Sequence, residues 1–167
     1  MPAARWPKAC DLVTDADIQA ILPEARGIDH HPQEATIEVS ERVGLARLRQ
    51  ITVPQRGCRI EFELPYTGSD ESAPATTRIQ LDLDAVGSKK VAVLNFQDSG
   101  DVVEAGDAGE CRRIVDSRYH CRVKGVVFTL DGSAPPELRF QGQRGETAAF
   151  YGRRVLHEFV KLVAAKL

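Results

Sequence analysis

Two stretches of the chain alternate residue by residue between apolar and polar side chains, and this period of two limits the fold more than any other feature. Ile60, Phe62 and Leu64 are interleaved with Arg59, Glu61 and Glu63, while Ile79, Leu81 and Leu83 are interleaved with Arg78, Gln80, Asp82 and Asp84. Successive strand residues point to opposite faces, so each stretch reads as a half-buried strand with one apolar and one wet face. The two can pair antiparallel across residues 65–76, whose Gly, Ser, Pro and acidic content suits a solvated, mobile loop. Ala35, Ile37 and Val39 mark a further strand over residues 34–40. Residues 41–53 fit neither period cleanly and are expected to form a strand disturbed near Gly44, with a short helix as the alternative. Residues 23–32 read as a loop, and Pro54-Gln55-Arg56-Gly57 has the composition of a turn.

Helices are expected at both ends. Thr14 supplies an N-cap hydroxyl and is followed by Asp15 and Asp17, which suit the positive end of a helix. That helix should run over residues 15–22, with Ile18, Ile21 and Leu22 on one face, and stop at Pro23. A longer helix is predicted over residues 146–166. Tyr151, Val155, Leu156, Phe159, Val160 and Val163 share its buried face, and Lys166 sits at the negative end of its dipole. A short helix over residues 88–96, a loop over 100–109, a turn over 131–136 and a short strand over 137–140 complete the expectation.

Residues 111–131 read as a hairpin. If Val115-Asp116-Ser117 forms its turn, Ile114 faces Arg118, Cys111 faces Cys121, and Glu110 faces Arg122. The apolar parity changes between Tyr119, Cys121, Val123 and Val126, Phe128, Leu130, which a bulge at Gly125 would produce. Strands mixed with terminal helices indicate an α+β fold, an antiparallel sheet with a short N-terminal and a long C-terminal helix packed against it. Residues 1–9 are expected to be a flexible lead-in and residues 10–167 a single domain.

The cysteines Cys10, Cys58, Cys111 and Cys121 are separated by 47, 52 and 9 residues, unlike the close pairs of a zinc site. An even count at long spacing suits two disulfides. Three pairings are possible, and free thiols in a cytosolic protein are the alternative. No apolar run approaches the ~18 residues of a spanning helix. Residues 1–8 lack the apolar stretch of an export signal; they read as a chain from which such a signal has been removed, with a native start as the alternative.

The run Ala9-Cys10-Asp11-Leu12-Val13-Thr14-Asp15-Ala16-Asp17-Ile18-Gln19-Ala20-Ile21-Leu22 resembles the start of small secreted and lipoprotein domains of unknown function from actinobacterial cell envelopes. Gly57-Cys58-Arg59-Ile60, the run from Lys124 to Leu130 and residues 148–167 are similar to the same family, so the resemblance spans most of the chain. It implies an extracytoplasmic location and a Cys10–Cys58 pair. Two departures are evident: Phe62 is the nearest match for an aromatic that usually follows the second cysteine, and a Cys111–Cys121 pair is not expected throughout the family. Arg5-Trp6-Pro7-Lys8-Ala9 offers no apolar lipobox, so Cys10 reads as a disulfide partner rather than a lipid anchor.

Function is less legible. With 22 basic and 24 acidic residues the chain has no global field to attract nucleic acid. Arg112, Arg113, Arg118, Arg122 and Lys124 form a local basic cluster that could receive an acidic envelope protein or an anionic cell-wall polymer. His30-His31 diverge in direction and make a poor metal pair, and His157 reads as a boundary residue. No metal and no cofactor is expected. The leading reading is a non-catalytic extracytoplasmic binding or accessory domain. The alternative is a hydrolase using His120, or the wet face where Asp82 and Asp84 lie beside Glu61 and Glu63.

Overall fold

The computed structural model describes residues 7–43, 47–65, 75–86, 99–106, 109–134 and 147–167. The helix expected over 88–96, the strand over 137–140 and most of the loop over 65–76 lie outside them. A 3₁₀ turn (Ala9–Leu12) leads into α1 (Asp15–Ile21). Strands β1 (Arg26–Val43), β2 (Arg47–Leu64) and β3 (Ala75–Val86) follow, then β4 (Asp101–Val103), β5 (Gly109–Val115), β6 (Arg118–Val123) and β7 (Val126–Ser133). The C-terminal helix starts as α2 (Thr147–Phe150), passes through a π-helical turn (Tyr151–Val155) and continues as α3 (Leu156–Lys166). Among the described residues this is an antiparallel sheet with helices at its ends, as the α+β expectation requires.

The sheet order is β1-β2-β3-β7-β6-β5-β4, antiparallel throughout. Two meanders, β1-β2-β3 and β4-β5-β6-β7, therefore meet along the β3–β7 ladder. One face is apolar: Cys58, Ile60, Phe62, Ile79, Leu81, Leu83, Tyr119, Cys121, Phe128 and Leu130 are all buried. Tyr151, Leu156, Phe159, Val160 and Val163 of the C-terminal helix are buried in the same core, together with Leu12, Val13, Ile18 and Leu22 from the N-terminal segment. Helix and sheet approach closely at Gly132, because a Cβ there would collide with Leu156. Ala9, at the end of the expected lead-in, is also buried.

Several local expectations are corrected. Residues 23–32 are not a loop throughout, because β1 begins at Arg26. Pro54 and Gly57 lie inside β2 rather than in a turn. Pro54 pairs with Thr36 of β1, and the β2–β3 ladder begins only at Arg56, so among the described residues β2 is an edge at this point, a place that tolerates a proline. A Cβ at Gly57 would meet the Asp82 carboxylate, which would have to swing aside to admit it. Of residues 41–53, 41–43 end β1 and 47–53 begin β2, with Val43 paired to Arg47, while Gly44, where a disturbance is expected, lies outside the described residues. Asp101–Val103 forms an edge strand within the expected 100–109 loop, and Asp131, Gly132 and Ser133 belong to β7 rather than to a turn.

The parity change near Gly125 comes from a hairpin turn, not a bulge. Val123 pairs with Val126, and Lys124 and Gly125 between them have φ of 47° and 83°, the left-handed geometry of a tight two-residue turn. Paired residues share a face, so the apolar pattern reflects about the turn. At the β5–β6 hairpin, Val115 rather than Ile114 faces Arg118, and an irregularity between Arg113 and Val115 absorbs the extra residue. Beyond it the expected register holds: Cys111 faces Cys121 and Glu110 faces Arg122.

Both disulfides are formed, Cys10–Cys58 and Cys111–Cys121, and the described chain has no free cysteine. The first closes 48 residues and ties the N-terminal turn to β2, a constraint on the unfolded chain of about 4 kcal/mol by loop entropy. The ends meet again at α1, where Thr14 and Asp17 form a capping box and Lys166 Nζ donates to the same Asp17 carboxylate. On the far side, the Tyr119 hydroxyl donates to Gly152 O at 2.8 Å.

Two predictions follow from this packing. A Cβ at Gly152 would collide with the backbone carbonyl of Asp116, so Gly152→Ala should destabilise the fold by about 3 kcal/mol in denaturant unfolding; an unchanged midpoint would contradict the packing. Burial alone pushes the Asp17 carboxyl up, but hydrogen bonds from Lys166 and from the Thr14 hydroxyl and N–H outweigh it and leave the group below its ordinary value. Its stabilisation is therefore present above about pH 4 and is lost as pH falls below that. The stability gap between wild type and Asp17→Asn should shrink over that acid range, and a constant gap would argue against the contact.

Candidate functional site

The basic cluster is divided by the sheet rather than gathered. Alternation along β5 and β6 places Arg112, Arg118 and Arg122 on the outer face, opposite the core, whereas Arg113 follows the inner parity of Cys111 and Tyr119. Each arginine meets a carboxylate. Arg112 and Arg122 share Glu110 at 2.8 and 3.0 Å, Arg113 reaches Asp101 at 2.7 Å, and Arg118 reaches Asp131 at 2.7 Å. Lys124 stands exposed at the β6–β7 turn. The Arg113 guanidinium is pushed up, chiefly by its hydrogen bond to Asp101.

Of the five, Arg118 opens onto a groove of about 480 Å³ across the outer face. It is built from cross-strand rows. Arg59 pairs with Gln80, Gln80 with Asp131, and Asp131 with Arg118, while one step along the strands Arg78 pairs with Ser133. Gln80 Nε2 donates to Gln33 on β1 at 2.9 Å and to Asp82 at 2.7 Å. Three guanidiniums, Arg59, Arg78 and Arg118, thus line the groove with a single carboxylate, Asp131, among its walls. Arg59 Nε is buried without an aligned acceptor, although Glu61 lies 3.3 Å away, and Arg78 makes no ion pair among the described residues. Arg59 and Arg78 were not among the expected site residues. The alternation that places Ile60 and Ile79 inward does place both outward, but only the register shows that they lie near Arg118.

The carboxylates of the wet face are interrupted rather than paired. Asp82 lies opposite Gly57 and Thr129, and Glu61 opposite Arg78, with the Arg59–Gln80 row between them. Glu61 is held by Arg59 and His31, the latter at 3.7 Å. The side chain of Asp84 lies outside the described residues. His157 stacks on Tyr119 and contacts the Glu104 carbonyl.

His30 and His31 lie on β1, not in a loop, and diverge as neighbouring strand residues must. His31 turns outward to Asp29 and Glu61. His30 turns to the N-terminal corner, where its Nε2 is 2.8 Å from Asp15 Oδ1 and its Nδ1 is 3.9 Å from Cys58 Sγ. Cys10, Cys58 and His30 offer donor atoms within 4.8 Å of one another. The two sulfurs are joined as a disulfide, so they are not the thiolates that bind a transition metal.

His120, the residue a hydrolase would use, also read from the sequence as an exposed polar position on a strand, is only 5% exposed, between Arg112 and Thr129 in the ladder. Burial pushes its imidazole below the ordinary value. The unfolded chain then protonates at higher pH than the native one, so the stability tied to neutral His120 is complete above about pH 6.5 and declines as pH falls below it. His120→Gln should flatten the fall in unfolding free energy between about pH 7 and pH 5, and an unchanged slope would remove His120 from that linkage. No protein-family model, curated protein or solved structure matches the chain.

Proposed function

We propose that the protein is a binding module of the cell envelope, and that its outer-face groove takes an anionic cell-wall polymer without catalysing a change in it. The observation that carries this is the set of three guanidiniums, on β2, β3 and β6, facing one groove with one carboxylate. Guanidinium groups present rigid forks of donors to phosphate or carboxylate oxygens, and Gln33, Gln80 and Ser133 add neutral groups suited to polyol hydroxyls. Strand ladders fix the backbone positions of these groups, so the ordering cost of binding falls on their side chains. Two disulfides and the family resemblance support an oxidising, extracytoplasmic setting. Among the described residues no helix is long and apolar enough to cross a membrane.

A hydrolase is less well supported. Its proposed base His120 is buried, and the acidic side chains of the wet face are separated by Arg59 and Gln80. The test is titration with a poly(glycerol phosphate) chain, followed by calorimetry and backbone NMR. Shifts should centre on Arg59, Gln80 and Arg118. Arg78→Ala should weaken binding at least tenfold, the equivalent of about 1.4 kcal/mol, with Arg122→Ala near wild type. Equal losses at Arg78 and Arg122 would place binding on general surface charge instead.

A further inference from the structure

Away from the groove, four elements converge on a cluster that the binding reading does not use. Cys10 comes from the 3₁₀ turn, Asp15 from the first turn of α1, His30 from β1 and Cys58 from β2. The two cysteines differ in burial, since Cys58 is fully buried and Cys10 only partly so. They also differ in how His30 meets them: its ring lies within 4.8 Å of both sulfurs, but the contact at hydrogen-bond range is to Cys58. His30 Nδ1 stands 3.9 Å from Cys58 Sγ, and its other ring nitrogen is held by Asp15 at 2.8 Å. The Cys111–Cys121 bond is different: both residues are fully buried, and among the described residues no side chain hydrogen-bonds either sulfur.

We infer that Cys10–Cys58 is a thiol–disulfide exchange site that oxidises a dithiol, with Cys10 the sulfur attacked, Cys58 the leaving sulfur and His30, oriented by Asp15, the group that donates a proton to the departing thiolate. A thiolate of the dithiol attacks Cys10 Sγ. The Cys10–Cys58 bond breaks, and its electron pair departs on Cys58 beside His30. In its imidazolium form His30 donates to that thiolate from Nδ1 while keeping Nε2–H on Asp15. The second thiol of the dithiol then attacks its own sulfur in the mixed disulfide, and Cys10 leaves. The dithiol loses two electrons and becomes a disulfide; Cys10 and Cys58 gain them and carry its two protons as thiols. Exchange is faster when the leaving thiolate is stabilised and the attacked sulfur is accessible, and this corner separates those two roles between its two cysteines.

The second disulfide is an internal control. Oxidised full-length protein is treated with dithiothreitol, quenched with acid at intervals and alkylated, and its peptides are mapped by mass spectrometry. Cys10 and Cys58 should be reduced at least tenfold faster than Cys111 and Cys121. His30→Asn should slow the first pair at least fivefold and leave the second unchanged, and Asp15→Asn should give a smaller loss. On the wild type, brief exposure to glutathione should trap the adduct on Cys10, a readout that does not depend on how any variant folds. An adduct on Cys58, equal reduction rates for the two pairs, or a rate indifferent to His30 would each overturn the assignment.

Discussion

The ladder between β3 and β7 is the interaction on which the rest of the structure depends. Each meander alone would have an apolar face too narrow to cover a helix on both flanks. Joined through Leu81 with Leu130 and Leu83 with Phe128, they present one continuous surface, and the C-terminal helix settles over it at Gly132. This joint is non-local: residues more than 40 positions apart must pair before the core closes, and closing such a loop costs entropy before any contact offsets it. The outer face depends on the same joint. Arg59 and Arg118 belong to different meanders, and the groove exists only because Gln80 and Asp131 sit side by side between them.

Much of the core was legible because burial writes a period into the sequence. Ile60, Phe62, Leu64 and Ile79, Leu81, Leu83 each sit between a wet and a dry side, and the helix residues from Tyr151 to Val163 repeat with the helical period. Legibility failed where that cause was missing. Residues 32–36 of β1 are exposed, so no alternation of polarity reveals the strand, and Pro32 and Pro54 carry the appearance of breaks although an edge position tolerates both. At Lys124-Gly125 the evidence was present but ambiguous, because a bulge and a tight turn produce the same change of parity.

The candidate site was less legible than the core for a related reason. A cluster such as Arg112, Arg113, Arg118, Arg122 and Lys124 is conspicuous in the sequence because its members are close along the chain. In the sheet those positions alternate between faces, and neighbouring acids, Glu110 above all, take up their charge. The groove instead assembles Arg59, Arg78 and Arg118 from three strands, and proximity of that kind follows from lateral register. The His30 corner has the same character: Asp15, His30 and Cys58 are far apart in sequence and meet only once α1 has docked.

The two disulfides close loops of very different size, with sequence separations of 10 and 48. The shorter partner is found whenever the β5–β6 hairpin forms, a local event that does not await the remainder of the core. The longer one requires the N-terminal turn to be seated on β2. Four thiols permit three pairings, but once Cys111 has joined Cys121 the two that remain have only each other. The local hairpin thus acts as a sorting step, converting a combinatorial problem into a single choice before the distant ends of the domain meet.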